Sequence, residues 1–208
     1  DVLGRICCDQ QDILLRIDLF RELCEDNGCW GKARTFASDY GRYLYLNGRS
    51  EMPDYQPFDD QTFDVYAMCA IAGSGKDSYI RQHLAHLPML SLDEIRRERK
   101  LDPADSKHTA EAVRLGKEQA KEYLRARTSF VFNATNLNRD LRSKWLPMFA
   151  DYGARVHLIY LEVPYTRLLS QNRNREHSVP NDVLHRMIEK LEIPDYSEAH
   201  TVDFVVSS

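Results

Sequence analysis

Ala70-Ile71-Ala72-Gly73-Ser74-Gly75-Lys76, entered directly from the apolar run Val65-Tyr66-Ala67-Met68-Cys69-Ala70, decides how the rest of the chain is read. A buried strand that breaks into Gly-Ser-Gly-Lys and then opens a helix turns successive backbone N–H groups toward one anion. The helix N-terminus adds partial positive charge, and a lysine ammonium reaches the outer phosphates. The expected nucleotide-phosphate site therefore runs through Ala72, Gly73, Ser74, Gly75, Lys76, Asp77 and Ser78. Two positions depart from the pattern Gly-x-x-x-x-Gly-Lys-Ser/Thr. Ala70 replaces the first glycine, a mild change between small residues. Asp77 replaces the magnesium-binding hydroxyl, and that change is not mild. A carboxylate beside polyphosphate is repelled unless it faces a metal, directly or through water. Either Asp77 takes the metal, or Ser78 slips into the hydroxyl role.

The bulk properties bound the answer. A chain of 208 residues with 43% hydrophobic content supports one domain with a small appendage and a real core. No apolar run approaches the roughly 18 residues of a membrane span, and no signal peptide is visible. The chain starts at Asp1 rather than methionine and reads as a piece excised from something longer. Five cysteines without paired metal spacing fit reduced thiols in the cytoplasm. A net charge of −4 argues against a general nucleic-acid coat. The charge is uneven, however. Residues 51–64 carry five acids (Glu51, Asp54, Asp59, Asp60, Asp64) and no lysine or arginine. Residues 139–175 carry seven cations (Arg139, Arg142, Lys144, Arg155, Arg167, Arg173, Arg175) against three acids. Local handling of an anion is one reading of that stretch; solvated helix faces are the other.

Residues 1–62 look unlike the remainder. The spacing from Ile13 to Cys24 predicts an amphipathic helix stopped by Asn27-Gly28. Phe36 to Leu46 alternates in part, and Pro53 to Pro57 is a turn-rich linker. From residue 63 to residue 208, predicted strands alternate with predicted helices. The strands are Val65–Ala72, Met89–Leu92, Ser129–Phe132, Arg155–Leu161 and Val202–Val206; the helices are Ser78–Leu87, His108–Arg127, Asn138–Tyr152, Tyr165–Asn174 and Asn181–Leu191. This order predicts an α/β fold, a parallel sheet flanked by helices, with a small N-terminal accessory segment.

Ligands of such sheets bind at the carboxyl ends of the strands. After the first strand comes the phosphate loop, and after the second Asp93-Glu94-Ile95-Arg96. Asn133-Ala-Thr-Asn136 follows the third. Glu162 and then Gln171-Asn-Arg-Asn-Arg175 follow the fourth. In this order, with these gaps, the motifs resemble the 5′-hydroxyl polynucleotide kinases, P-loop phosphotransferases. The resemblance is strongest to the kinase domain of bacterial end-healing enzymes that carry an upstream HD phosphoesterase domain. Glu162-Val-Pro164 and Lys190-Leu-Glu-Ile-Pro194 belong to the same likeness, and Leu19-Phe-Arg-Glu with Phe36-Ala-Ser-Asp extends it into residues 1–62.

The resemblance implies the P-loop kinase fold and transfer of the γ-phosphate of a nucleoside triphosphate, with Mg2+, to the 5′-hydroxyl end of RNA or DNA. It also implies an HD phosphoesterase upstream of this chain. Asp93 becomes the general base, although an Asp before Glu-Ile-Arg-Arg is equally a good helix N-cap. Arg96 becomes the holder of the phosphate 3′ of the terminal nucleotide; its plain alternative is a surface ion pair. Arg173 and Arg175 suit a lid closing over the donor, with Arg173 ranked first. Arg139 and Arg142, on the next helix, are candidate contacts to nucleic acid, and Asp77, Ser78 and Asp93 are candidate metal residues. Many related kinases have Asp at the Asn133 position; here a neutral amide stands there, able to orient a metal-bound water or to serve a turn. Two rivals remain: a small-molecule kinase on the same scaffold, and a non-catalytic nucleotide-binding regulatory module. No motif marks the donor's base or separates RNA from DNA.

Overall fold

Asp64–Cys69 (β1) is the middle strand of a five-stranded sheet ordered β2-β3-β1-β4-β5, with β2 Met89–Ser91, β3 Phe130–Asn133, β4 Arg155–Glu162 and β5 Thr201–Val206. Every pairing is parallel. The computed structural model describes residue 4 and residues 8–174 and 178–206. Because β1 is central, both its faces are covered, which is why it reads as a continuous apolar run rather than an alternating one. Val65, Ala67 and Cys69 point into one core with Phe130, Phe132, Trp145 and Phe149. Phe132 lies 4.5 Å from Trp145, and Phe130 meets Phe149 edge-on at 5.6 Å. Met68 and Ala70 point the other way, to Val131, Ile159, Ile80 and Leu84. Each large side chain buried here contributes about 1.5–3 kcal/mol.

The helices that cover the faces are Lys76–His83 (α3), Leu92–Arg99 (α4), Ser106–Arg125 (α5), Arg139–Ser143 (α6), Leu146–Asp151 (α7), Tyr165–Arg173 (α8) and Asn181–Glu189 (α9). One predicted helix, Asn138–Tyr152, is in fact two. Pro147 sits in the first turn of α7 and has no N–H to continue a ladder from the residues of α6. The first strand also ends earlier than expected, at Cys69, so that Ala70-Ile71-Ala72 belongs to the loop.

Ahead of the sheet come Gln10–Asp26 (α1) and Asp39–Leu46 (α2). The partly alternating stretch before Asn47 is therefore helical; the Ser38 hydroxyl caps it by accepting from Gly41 N. Helix α1 buries no residue. Helix α2 does pack. Its Tyr43 stacks on His200 with ring centres 4.3 Å apart, Arg42 reaches the carbonyls of Tyr196 and His200, and Asn47 Nδ2 donates to Ser197 O at 2.8 Å. Helix α2 thus packs at the amino-terminal edge of the sheet, against the residues that lead into β5. Among the described residues no helix is long and apolar enough to cross a membrane.

Arg142 corrects a sequence expectation. It was a candidate nucleic-acid contact, yet its side chain is 1% exposed and its ion-pair partner Glu198 only 6%. The guanidinium forks onto Glu198 at 2.6 and 2.9 Å and also donates to Asn136 O (3.0 Å) and Glu192 O (2.9 Å). The cause is the set of acceptors around it: the Glu198 carboxylate and the Asn136 and Glu192 carbonyls converge on this one guanidinium inside the protein.

Two outcomes follow. Arg142→Ala, which strands a buried carboxylate, is expected to lower unfolding stability in urea by about 3–5 kcal/mol, whereas Arg142→Met with Glu198→Leu costs less. A loss below about 1 kcal/mol for the single change would refute the strut. Burial, with His157 and Arg155 adding to it, pushes His200 down to about 4 from 6.5. Across that window the unfolded chain takes up a proton that the folded chain refuses, so stability falls as pH drops from 6.5 toward 4 and levels off below. The urea midpoint followed from pH 7 to pH 4 should show this loss, at most about 3 kcal/mol, and His200→Gln should flatten it.

Candidate active site

The loop after β1 is shaped by two glycines that only glycine serves cheaply. Gly73 has φ 89° and Gly75, the N-cap of α3, has φ 95°. Gly73 also runs against α8: a Cβ there would stand 3.4 Å from Asn172 Cβ. Ala70 N donates to Thr135 O at 2.9 Å, tying the loop's start to the turn after β3. Asn136, with φ 48°, completes that tie by donating its side-chain amide to Met68 O at 2.8 Å. Inside the loop Lys76 Nζ donates to the carbonyls of Ala70 and Ile71, both at 3.3 Å. Ser74 is buried, and its hydroxyl has no hydrogen-bond partner among the described residues. A buried hydroxyl without a partner is costly unless something fills that role.

Asn133 joins this loop to the next strand. Its backbone lies in register with Ser91 at the end of β2, and its Nδ2 donates to Asp77 Oδ1 at 3.0 Å. Ser91 is 5% exposed and its Oγ accepts from Glu94 N, so Ser91 caps α4. That overturns the capping alternative for Asp93. Asp93 sits in the first turn of α4 with its side chain 75% exposed, and Arg96 Nη1, one turn on, donates to its Oδ1 at 2.7 Å. The Lys76 loop and Asp93 therefore open on the same edge of the sheet, their strands two spacings or about 10 Å apart. Ser78 is one residue further round α3, exposed, with its Oγ accepting from Arg81 at 3.3 Å. No three His, Cys, Asp or Glu side chains converge as a metal cluster among the described residues.

The arginine-bearing segment is anchored to the loop. With the Gln171 amide turned so that nitrogen faces Gly73 O, it donates there at 2.6 Å and its oxygen accepts from Arg167 Nε at 3.2 Å. The 2%-exposed Asn172 clasps Val179 through both ends of its amide: Nδ2 donates to Val179 O at 2.7 Å, and Val179 N donates to Oδ1 at 3.0 Å. Arg173 follows immediately, exposed at the end of α8. Arg175 lies outside the described residues. Arg139 is exposed but engaged with Asp195 (2.6 Å) and Ser197 (2.8 Å), and Arg142 is the buried strut described above. Gln171, Asn172 and Asn136 had no assigned roles in the sequence. The signal that was available is the polar pair at a predicted helix end beside the arginines; its meaning depends on Gly73, far away along the chain.

The sequence model of the family described as an AAA domain matches residues 65–194. No curated protein is similar enough to count as a relative. Among solved structures, a sugar kinase from Janibacter sp. HTCC2649 is 17% identical over 70% of this chain and 86% of that one, with a TM-score of 0.55. A chain of the Pnkp1/Rnl/Hen1 RNA repair complex is 15% identical with a TM-score of 0.54, matching 65% of this chain and 47% of its own length. At these identities the likeness establishes the fold: a P-loop kinase-like α/β sheet with a small helical segment ahead of it.

The capping assignment has a direct check. Ser91→Ala should cost about 1 kcal/mol in urea unfolding and Asp93→Ala distinctly less; the reverse order would mean that Asp93 caps the helix.

Proposed function

The chain belongs to the AAA domain family, and from that membership and the rim geometry we propose that it is a polynucleotide 5′-hydroxyl kinase, moving the γ-phosphate of a nucleoside triphosphate to the end of RNA or DNA. The observation that carries the reading is Asn133, paired in register with Ser91 on one side and bonded to Asp77 on the other. Through it the phosphate loop and the Asp93 helix share one mouth.

In this reading the loop amides at Gly73–Lys76 cradle the phosphates, and the unpartnered Ser74 hydroxyl takes a phosphate oxygen. Lys76 leaves the carbonyls of Ala70 and Ile71 for the outer phosphates. Asp93 accepts the proton of the 5′-hydroxyl as the O5′–Pγ bond forms and the bond to the departing diphosphate breaks. Arg96 holds the Asp93 carboxylate in place and meets the phosphate 3′ of the terminal nucleotide. Arg173, with Arg175, closes over the donor from the Asn172–Val179 clasp. A magnesium ion suits this donor set, since Asp77 and Asp93 offer hard carboxylate oxygens, and magnesium commonly combines one or two carboxylates with the phosphates. Its chemistry when bound is charge neutralisation on the transferring phosphate. Residues 63–208 form the catalytic unit, with residues 1–62 as its accessory segment.

Two observations favour a polymer acceptor. Asp93 stands at an open rim, accessible to a chain end, and a chain of an RNA repair complex shares the fold. The second reading, a small-molecule kinase, draws on the sugar kinase with the same fold.

Incubation with γ-labelled triphosphate and 5′-hydroxyl RNA, DNA, a mononucleoside or free sugars separates these readings. Label is expected on the oligonucleotides, with Lys76→Ala inactive. Asp93→Ala should slow transfer by about 10²–10⁴ while triphosphate binding persists, and Arg173→Ala by about a thousandfold. Label on small acceptors alone would establish the second reading, and triphosphate binding without transfer to any acceptor would leave a regulatory module.

A further inference from the structure

The position after Lys76 and the end of β3 carry exchanged chemistry. In P-loop NTPases a Ser or Thr hydroxyl follows the loop lysine, and a strand-end Asp completes the magnesium site. Here the loop position carries the carboxylate, Asp77, and the strand end carries the neutral Asn133. The two side chains meet, Asn133 Nδ2 donating to Asp77 Oδ1 at 3.0 Å. We propose that Asp77 is the magnesium ligand of this chain, that Asn133 positions it, and that the usual carboxylate and neutral partner are thereby interchanged. The inference rests on the triphosphate-dependent reading above and narrows its metal residues, leaving Ser78 out.

Three observations support the exchange. The locus keeps one carboxylate and one neutral group, so the charge facing a divalent cation and a polyphosphate is unaltered by the swap. Asn133 is 8% exposed, and its backbone is fixed in the ladder with Ser91, so its amide is held rigidly enough to orient the Asp77 carboxylate. Ser78 lies about 100° further round α3 from Asp77 and accepts from Arg81, which places its hydroxyl on another side of the helix. A carboxylate in the first turn of a helix also interacts well with the backbone dipole. That role would affect stability but would give no response to magnesium, and the test below reads that response.

The test is calorimetric titration of the full chain with a non-hydrolysable triphosphate, with and without magnesium, alongside electron paramagnetic resonance of Mn2+ to count bound ions. Magnesium should tighten the wild-type complex by about tenfold or more, as a coupling of ordinary size between two ligands. Asp77→Ala should lose that gain and the bound Mn2+, while Ser78→Ala keeps both. Asn133→Ala should weaken Mn2+ binding by about tenfold. Asp77→Ser with Asn133→Asp restores the usual arrangement and should regain both. The proposal is overturned if Asp77→Ala keeps the magnesium gain, if Ser78→Ala abolishes it, or if the double variant regains nothing while its metal-free affinity matches wild type. A wild-type chain that binds triphosphate equally with and without magnesium defeats this inference alone. One that binds no triphosphate in either condition defeats the kinase reading with it.

Discussion

The fork of Arg142 on Glu198 holds together the parts of the chain on which the site stands. One guanidinium, buried among apolar side chains, joins the turn after β3 through Asn136 O, the segment after α9 through Glu192 O, and the approach to β5 through Glu198. The same turn feeds Thr135 O and the Asn136 amide to the end of β1. Beside it the Cys69 thiol, pushed up to about 11 by burial, donates to Asn136 O. A charge taken out of water is tolerated only when every donor finds an acceptor, and that demand specifies where each of these segments must lie. The phosphate loop begins at the residue after Cys69, so its starting point is set by this network.

From there the rim is assembled by strand order. Parallel strands place their carboxyl ends on one edge, and β3 lies between β1 and β2. A side chain at the last residue of β3 can therefore touch whatever follows β1 while its backbone pairs with whatever precedes the helix after β2. Asn133 does both. Helix α8 supplies the opposite wall, where Asn172 crosses Gly73 and clasps Val179. The segment bearing Arg173 thus starts from a fixed stem next to the loop. A stem held in this way leaves Arg173 in a defined place next to the loop.

Much of this was legible in residues 63–206. The fully apolar run of β1, the glycines of the loop and the alternation of strands with helices are local signals, and the five strands appear where those signals lie. The misreadings were also local. Pro147 splits a helix that periodicity alone would continue, and the first strand stops at Cys69 rather than Ala72; Asp39–Leu46, in a stretch whose partial alternation named no element, is a helix that Ser38 caps and Tyr43 anchors by stacking on His200. Arginine roles were the hardest to read. Arg139, Arg142 and Arg173 are one residue type with three fates: an exposed contact to Asp195, a buried strut, and an exposed side chain at the end of α8. For Arg142 no local signal marked the burial, because its carboxylate partner Glu198 lies 56 residues further along the chain.

The amino-acid sequence by itself determined the class of fold and the loop, because a buried strand, a glycine turn and a helix start are each dictated by neighbouring residues. It also determined that a carboxylate follows Lys76 and an amide ends β3. Only the tertiary structure decided that these two side chains meet, that Ser91 rather than Asp93 caps α4, and that Asn172 closes on Val179 beside Gly73. Those facts depend on which strands become neighbours, and strand order follows from how a whole chain buries its apolar faces rather than from any short stretch of it.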